Sequence, residues 1–151
     1  MPTPIIRFAE QKDLPEIIQL CALHAAYEQS DYNESGKAEA LAQSLFSESP
    51  ALFCLVVEEG SELIGYATYM PQYSTWDAKF YVYMDCLFMK EAARSKGIGQ
   101  QLVERIQLEG VQLGCDLIQW QTPDFNHRAI KFYKRIGATA KSKERFFLAI
   151  A

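Results

Sequence analysis

Residues 94 to 99 read Arg-Ser-Lys-Gly-Ile-Gly and stand between an apolar, aromatic run, Phe80 to Met89, and a helix-periodic run that begins at Ile98. A strand that feeds a glycine-bearing turn opening a helix leaves the first helical N–H groups without internal partners, at the positive end of the helix dipole. Such a turn is suited to holding phosphate. Glycine removes Cβ atoms where a phosphate must approach the backbone, and Arg94 and Lys96 add positive charge beside the same N–H groups. Close packing of strand on helix asks for the same glycines, so the segment alone leaves both readings open. Two familiar phosphate loops do not apply. There is no Gly-x-x-x-x-Gly-Lys-Ser/Thr, and Gly97-Ile98-Gly99 runs into Gln100-Gln101-Leu102 without the third glycine of a dinucleotide loop.

At 151 residues, 49% apolar and 23% charged, the chain suits a single domain, 1–151, with a core of its own. A net charge of -4 and the lack of a long basic run argue against nucleic acid and favour a cationic substrate. Met1-Pro2-Thr3-Pro4-Ile5-Ile6-Arg7 lacks the apolar centre of a signal peptide. No apolar stretch approaches the ~20 residues that span a bilayer, so a cytoplasmic protein off the membrane is expected. Cys21, Cys54, Cys86 and Cys115 lie in apolar runs without Cys-x-x-Cys spacing, as buried reduced thiols do. His24 and His127 are far apart and no carboxylates cluster at ligand spacing, so no metal is expected.

Ile5 to Phe8 reads as a short strand, and Asp13-Leu14-Pro15-Glu16 as a helix start with Asp13 as N-cap and Glu16 at the capping-box position. Lys37 to Phe46 reads as a second helix. Ala51 to Val57 and Leu63 to Met70 form a hairpin through Glu58 to Glu62, and Phe80 to Met89 continues it as an antiparallel meander. Ile98, Leu102, Ile106, Gly110 and Leu113 make the core-facing stripe of a helix starting at Gly97. Asp116 to Trp120 is a further strand, parallel to Phe80–Met89 by crossover geometry. A helix from His127 to Ile136 stops at Gly137 in the C′ position, and Arg145 to Ile150 reads as a final strand.

Arg94-Ser95-Lys96-Gly97-Ile98-Gly99 meets every fixed position of Gln/Arg-x-x-Gly-x-Gly/Ala, and Asn126, Ala129, Ile130, Phe132, Tyr133 and Gly137 match a second signature in the right order. By these motifs the chain resembles the GCN5-related N-acetyltransferase family, along essentially its whole length. Tyr27-Glu28, Trp76, Tyr83 to Asp85 and Phe132 to Ala138 bring it nearest the spermidine/spermine and thialysine acetyltransferases. The resemblance implies an α/β fold. Its mixed, mostly antiparallel sheet would have six to seven strands, a central splayed parallel pair and about four helices. It further implies direct acetyl transfer from acetyl-CoA to a primary amine in a ternary complex. The pyrophosphate would sit on N–H groups of Ser95, Lys96, Gly97, Ile98, Gly99 and Gln100 beside Arg94. The pantetheine arm would pair with main chain of Leu87, Phe88 and Met89 and be held by Asn126, Ala129 and Tyr133.

An alkylamine has a pKa near lysine's, about 10.4, so a group must take its proton at neutral pH. Asp85 stands where the polyamine enzymes place a glutamate and is read as base or acceptor anchor; neutralising a neighbouring cation is the alternative. Met84 and Cys86 should face away from it if no bulge intervenes. Tyr133 is read as the acid that hydrogen-bonds the leaving sulfur, against an alternative of core packing. Asn126 would hold pantetheine or cap its helix start, two compatible roles. Cys86, with no histidine near it in sequence, reads as packing rather than an acetyl carrier. His24 reads as a partly buried, satisfied residue. Glu28, Asp31, Glu34 and Asp77 lend negative charge around the acceptor, whose methylenes Tyr27 and Trp76 would cover. Ser74, where the polyamine enzymes carry aspartate, and a shortened 141–144 segment leave open a polyamine, a diamine or a lysine-like amino acid. An aminoglycoside-like compound, a peptide amine or a silent CoA-binding module are the other readings, and a homodimer through the last strand is implied by family analogy.

Overall fold

Near-continuous apolar runs within Phe53–Glu59 and Glu62–Ser74, followed by the mixed run Lys79–Met89, make three strands, β2, β3 and β4, paired antiparallel in sequence order. The computed structural model of the chain describes residues 2–151. β1, Ile5–Phe8, adds to β2 antiparallel, and β5, Ile118–Gln119, adds to β4 in parallel, giving a five-stranded sheet in the order β1-β2-β3-β4-β5. The crossover between β4 and β5 runs through α3, Ile98–Gln112.

Tyr66 and Tyr69 stand three apart on β3 and so face opposite sides of the sheet. Tyr66 packs with Ile17 and Leu20 of α1, Leu14–Tyr27, and with Val56 and Phe88. The Tyr69 hydroxyl feels the charges of Glu109 and Arg105 of α3, so the two helices lie on the two faces. α3 buries Ile98, Leu102, Val103, Ile106 and Gly110. Leu113 falls outside the predicted stripe: it caps the helix and is 37% exposed. α2, Lys37–Leu45, follows the polar loop after α1.

The start of α1 differs from its sequence reading. Asp13 makes no side-chain cap. Its carboxylate instead accepts from both Arg7 guanidinium nitrogens, at 2.7 and 3.0 Å, and from the Glu10 N–H at 2.7 Å. The capping box belongs to Glu10 and Asp13 around a 3-10 turn, while Glu16 accepts the Leu63 N–H at 3.0 Å. Charge pairing with β1 outbids a local cap because a bidentate guanidinium contact is roughly twice as strong as a neutral one.

The chain divides into a compact unit ending at Gln121 and a second, Thr122–Ala151. The second holds α4, His127–Arg135, which ends as the sequence predicts: Ala138 N–H bonds Tyr133 C=O and Gly137 N–H bonds Lys134 C=O, at 3.0 and 3.1 Å. Arg145 to Ile150 forms no strand. A strand exists by its ladder, and this segment has none; Phe146, Phe147, Leu148 and Ile150 are 81–104% exposed. Among the described residues the sheet therefore has five strands rather than six to seven, and the parallel pair lies at its edge instead of its centre.

Candidate active site

The turn from β4 to α3 is shaped by two left-handed residues, Ser95 at φ 65° and Gly97 at φ 80°, on either side of Lys96. A Cβ on Gly97 would meet nothing within 4 Å, so glycine is required there by its backbone angle and not by space. Ser95 carries the same conformation with a side chain, a strain of order 1 kcal/mol that collects at functional turns. The first turn of α3 holds no acidic residue, which leaves the dipole's positive end uncompensated.

β5 pairs with β4 at Val82↔Ile118 and Tyr83↔Gln119 only. Among the described residues, β4 from Met84 to Met89 has no strand on that edge, while its other edge is laddered to β3. This is the splay expected of the parallel pair. Main-chain groups of Leu87 and Met89 stand along the open edge, next to the turn, while those of Phe88 between them face β3. Gly65 lies opposite Met89, where a Cβ would collide with the Met89 side chain and the Phe88 carbonyl.

Asp85 occupies a bulge. Thr68 faces Cys86 and Tyr69 faces Met84, so Asp85 has no partner of its own on β3. The bulge reverses the faces of β4. Met84 stands opposite Tyr69 on the α3 side, whereas Cys86 packs against the cluster of α1, Tyr66 and Phe88. Met84 and Cys86 thus do not share a face, contrary to simple alternation, and Asp85 is exposed between them where β5 pairing stops. The Cys86 thiol lies 3.8 Å from Asp85 Oδ2, and burial, with the Asp85 charge adding, pushes it up to about 11.

The Arg94 side chain is engaged with groups of β4 and α1. Its Nε donates to Met89 C=O at 2.9 Å, and its guanidinium lies 4.5 Å over the Tyr27 ring and 5.4 Å from the Phe88 ring. The motif arginine therefore ties the turn to the end of α1, a contact for which the sequence holds no local signal. Beside Tyr27, the Glu28 carboxylate pairs with His24 at 3.0 Å. Lys37 lies 4.4 Å over Tyr32 in the loop that carries Asp31 and Glu34.

Trp76 is not brought to Asp85. It stands 98% exposed in the β3–β4 turn, beyond Lys79, and β4 from Lys79 to Asp85 alone covers about 20 Å at ~3.3 Å per residue. Asp77 in that turn bonds Ser74. In the second unit, Asn126 is 9% exposed and makes no side-chain cap; its amide donates to Thr122 Oγ1 at 3.0 Å. Ala129 and Tyr133 lie half-buried on α4, with the Tyr133 ring 5.3 Å from Phe132. His127 is exposed, and among the described residues no three His, Cys, Asp or Glu side chains gather as metal ligands. Nor is any helix among them long and apolar enough to cross a membrane.

An open strand edge thus runs into a left-handed glycine turn and an acid-free helix start. Residues 17–138 match the acetyltransferase (GNAT) family. The chain belongs to that family. Thialysine N-epsilon-acetyltransferase of Sus scrofa is 30% identical over 146 residues, 91% of this chain and 85% of that one. The human spermidine/spermine N(1)-acetyltransferase-like protein 1 is 29% identical over 92% of this chain, which spans 21% of that longer protein. Among solved structures, an aminoglycoside N-acetyltransferase, AAC(6')-Iy, in complex with CoA superposes with a TM-score of 0.84 over 100% of this chain and 97% of that one, at 17% identity. The likeness extends the fold, and GNAT acetyltransferase is the enzyme class of the chain.

Proposed function

We propose that this acetyltransferase moves the acetyl group of acetyl-CoA to a primary amine of a small cationic acceptor by direct attack in a ternary complex. The observation that carries the reading is the bulge at Asp85, which exposes a carboxylate where the β4 edge opens. The chain's groups suit the cosubstrate. Left-handed Ser95 and Gly97 and the acid-free start of α3 fit a pyrophosphate along Ser95 to Gln100, and the unpaired edge at Leu87 to Met89 fits a pantetheine arm that bonds like a strand. The Met89 carbonyl keeps a second lone pair beside its bond from Arg94. By the family resemblance Asn126, Ala129 and Tyr133 would also hold the cosubstrate.

When bound, acetyl-CoA supplies an activated thioester. Asp85 accepts the ammonium proton of the acceptor, through a water where the shorter aspartate falls short, and the freed nitrogen attacks. Tyr133 donates its phenolic hydrogen bond to the leaving sulfur. A Cys86 thiol pushed up to about 11 stays protonated at neutral pH, which favours direct attack over an acetyl-cysteine carrier. Glu28 and the charges of Asp31 and Glu34 favour a polyamine, a diamine or a lysine-like amino acid. The names of the relatives, thialysine and spermidine/spermine acetyltransferases, support the same range. The proposal includes a cytoplasmic location and a homodimer joined through the exposed Phe146 to Ile150 segment, to be read by light scattering.

Release of CoA from acetyl-CoA, measured across diamines, polyamines, lysine-like amino acids, aminoglycosides and peptide amines, tests the reading. We expect release with the first three classes. Tight acetyl-CoA binding without amine-dependent release anywhere in the panel would leave a silent CoA-binding module instead.

A further inference from the structure

His24 sits in a bonded row that the chemistry above does not use. Its Nδ1 lies 2.8 Å from the Tyr66 hydroxyl and its Nε2 3.0 Å from Glu28 Oε2. The ring stacks on Phe88 at 5.1 Å and 21°, and meets Tyr66 edge-on at 5.8 Å. The His24 side chain is 13% exposed and that of Glu28 31%, so the row runs from the core to the surface at the end of α1.

Chemistry fixes the direction of each bond. A carboxylate only accepts, so Nε2 carries the hydrogen and donates to Glu28; in the neutral ring Nδ1 then accepts, and the Tyr66 hydroxyl donates to it. A ring clamped by two hydrogen bonds and an aromatic face cannot turn without breaking them. Glu28, a flexible side chain elsewhere, is thereby held through one oxygen, and its carboxylate keeps acceptor capacity for a ligand N–H.

We propose that His24 is a positioning residue for acceptor specificity: clamped between Tyr66 and Phe88, it fixes the Glu28 carboxylate for the acceptor's second cationic group. The inference rests on the acetyltransferase reading with Glu28 on the acceptor side. A rotamer-rich side chain ordered before binding loses less freedom on binding, so the benefit falls on acceptors with a charge for Glu28 to meet.

The test compares diaminobutane with butylamine in the wild type, His24→Phe and His24→Gln. Phenylalanine keeps an aromatic face for Phe88 and loses both hydrogen bonds. Glutamine restores a donor for Glu28 and an acceptor for Tyr66. We expect His24→Phe to raise KM for diaminobutane about tenfold, with kcat for both amines and KM for butylamine within about twofold, and His24→Gln to recover most of the loss. Equal losses for the two amines, a fall in kcat at unchanged KM, or no recovery with glutamine would overturn the proposal. A second readout needs no acceptor and no variant of His24: long-range 1H–15N spectra of the wild type should show the Nε2–H tautomer, altered by Glu28→Gln. An Nδ1–H tautomer overturns the proposal even where His24→Phe fails to fold. Absence of turnover by the wild type with every amine would count against the enzyme reading, and the ring tautomer would still decide whether His24 holds Glu28.

Discussion

At the turn between β4 and α3 the working groups are main chain: two left-handed residues, the first N–H groups of a helix, and an unpaired strand edge. At the end of α1 they are side chains, with Glu28 on His24, His24 on Tyr66, and Tyr27 under Arg94. In the proposed reaction the first region would bind by geometry that many sequences can produce so long as glycine sits at the required angle. The second would bind by the identity and mutual support of particular residues. A main-chain site of this kind tolerates variation in its side chains. A side-chain site changes with each substitution, which is why the donor is easier to name than the acceptor.

The largest effect should come from the place where both regions meet. Asp85→Asn is expected to lower kcat at neutral pH about a hundredfold, in the lower range for loss of a general base. The defect should shrink as pH rises toward the amine's own pKa near 10. A defect that is flat with pH would make Asp85 an anchor on the side-chain part of the site.

The support of α1 comes next. Arg7 holds the Asp13 carboxyl below its usual range, and Asp13 is 4% exposed. Asp13→Asn should lower the unfolding free energy by about 2 kcal/mol at neutral pH, since the hydrogen bonds lost are to charged groups. For a carboxyl whose folded value is depressed, this stabilisation is present above the unfolded value near 3.9 and lost as pH falls through the lower folded value. Denaturant titrations of wild type and variant should therefore converge in strong acid. A gap that persists there would assign the effect to packing.

Tyr133→Phe should lower turnover about tenfold, as for loss of one acid, with acetyl-CoA affinity nearly unchanged; unchanged turnover would return Tyr133 to packing. Gly97→Ala addresses the main-chain part alone. With open space around the Cβ, its effect is the left-handed strain, about 1 kcal/mol. Acetyl-CoA should bind about fivefold more weakly while amine KM holds, and an equal change in both would dissolve the division between the two regions.

What could be read in the sequence follows the same division. The stripe of Ile98, Leu102 and Ile106 and the helix stop at Gly137 are local patterns, and both stand in the structure. The bulge at Asp85 depends on how β4 registers against Thr68 and Tyr69, which no spacing within β4 reveals. His24 meets a tyrosine 42 residues away, and Asp13 forsakes its local cap for Arg7 on another element. Arg145 to Ile150 has the composition of a strand, yet composition supplies no partner. Local backbone chemistry was legible, whereas long-range pairing of charge and register was not.

Arg94 crosses the division, and the smallest expected effect is the sharpest check on it. Its place in the turn is set by the motif, yet its guanidinium is spent on the Met89 carbonyl and the Tyr27 ring. Glutamine at this position fits the same motif and can still donate to Met89, but it has no charge to lay on Tyr27. A partly exposed cation–π contact is worth about 0.5–1 kcal/mol. Arg94→Gln should therefore raise amine KM about threefold and leave acetyl-CoA affinity within about twofold, and pairing it with Tyr27→Leu should add little more. The opposite outcome, weaker acetyl-CoA with amine KM unchanged, would move the Arg94 side chain to the phosphates. The two regions would then be joined only through β4.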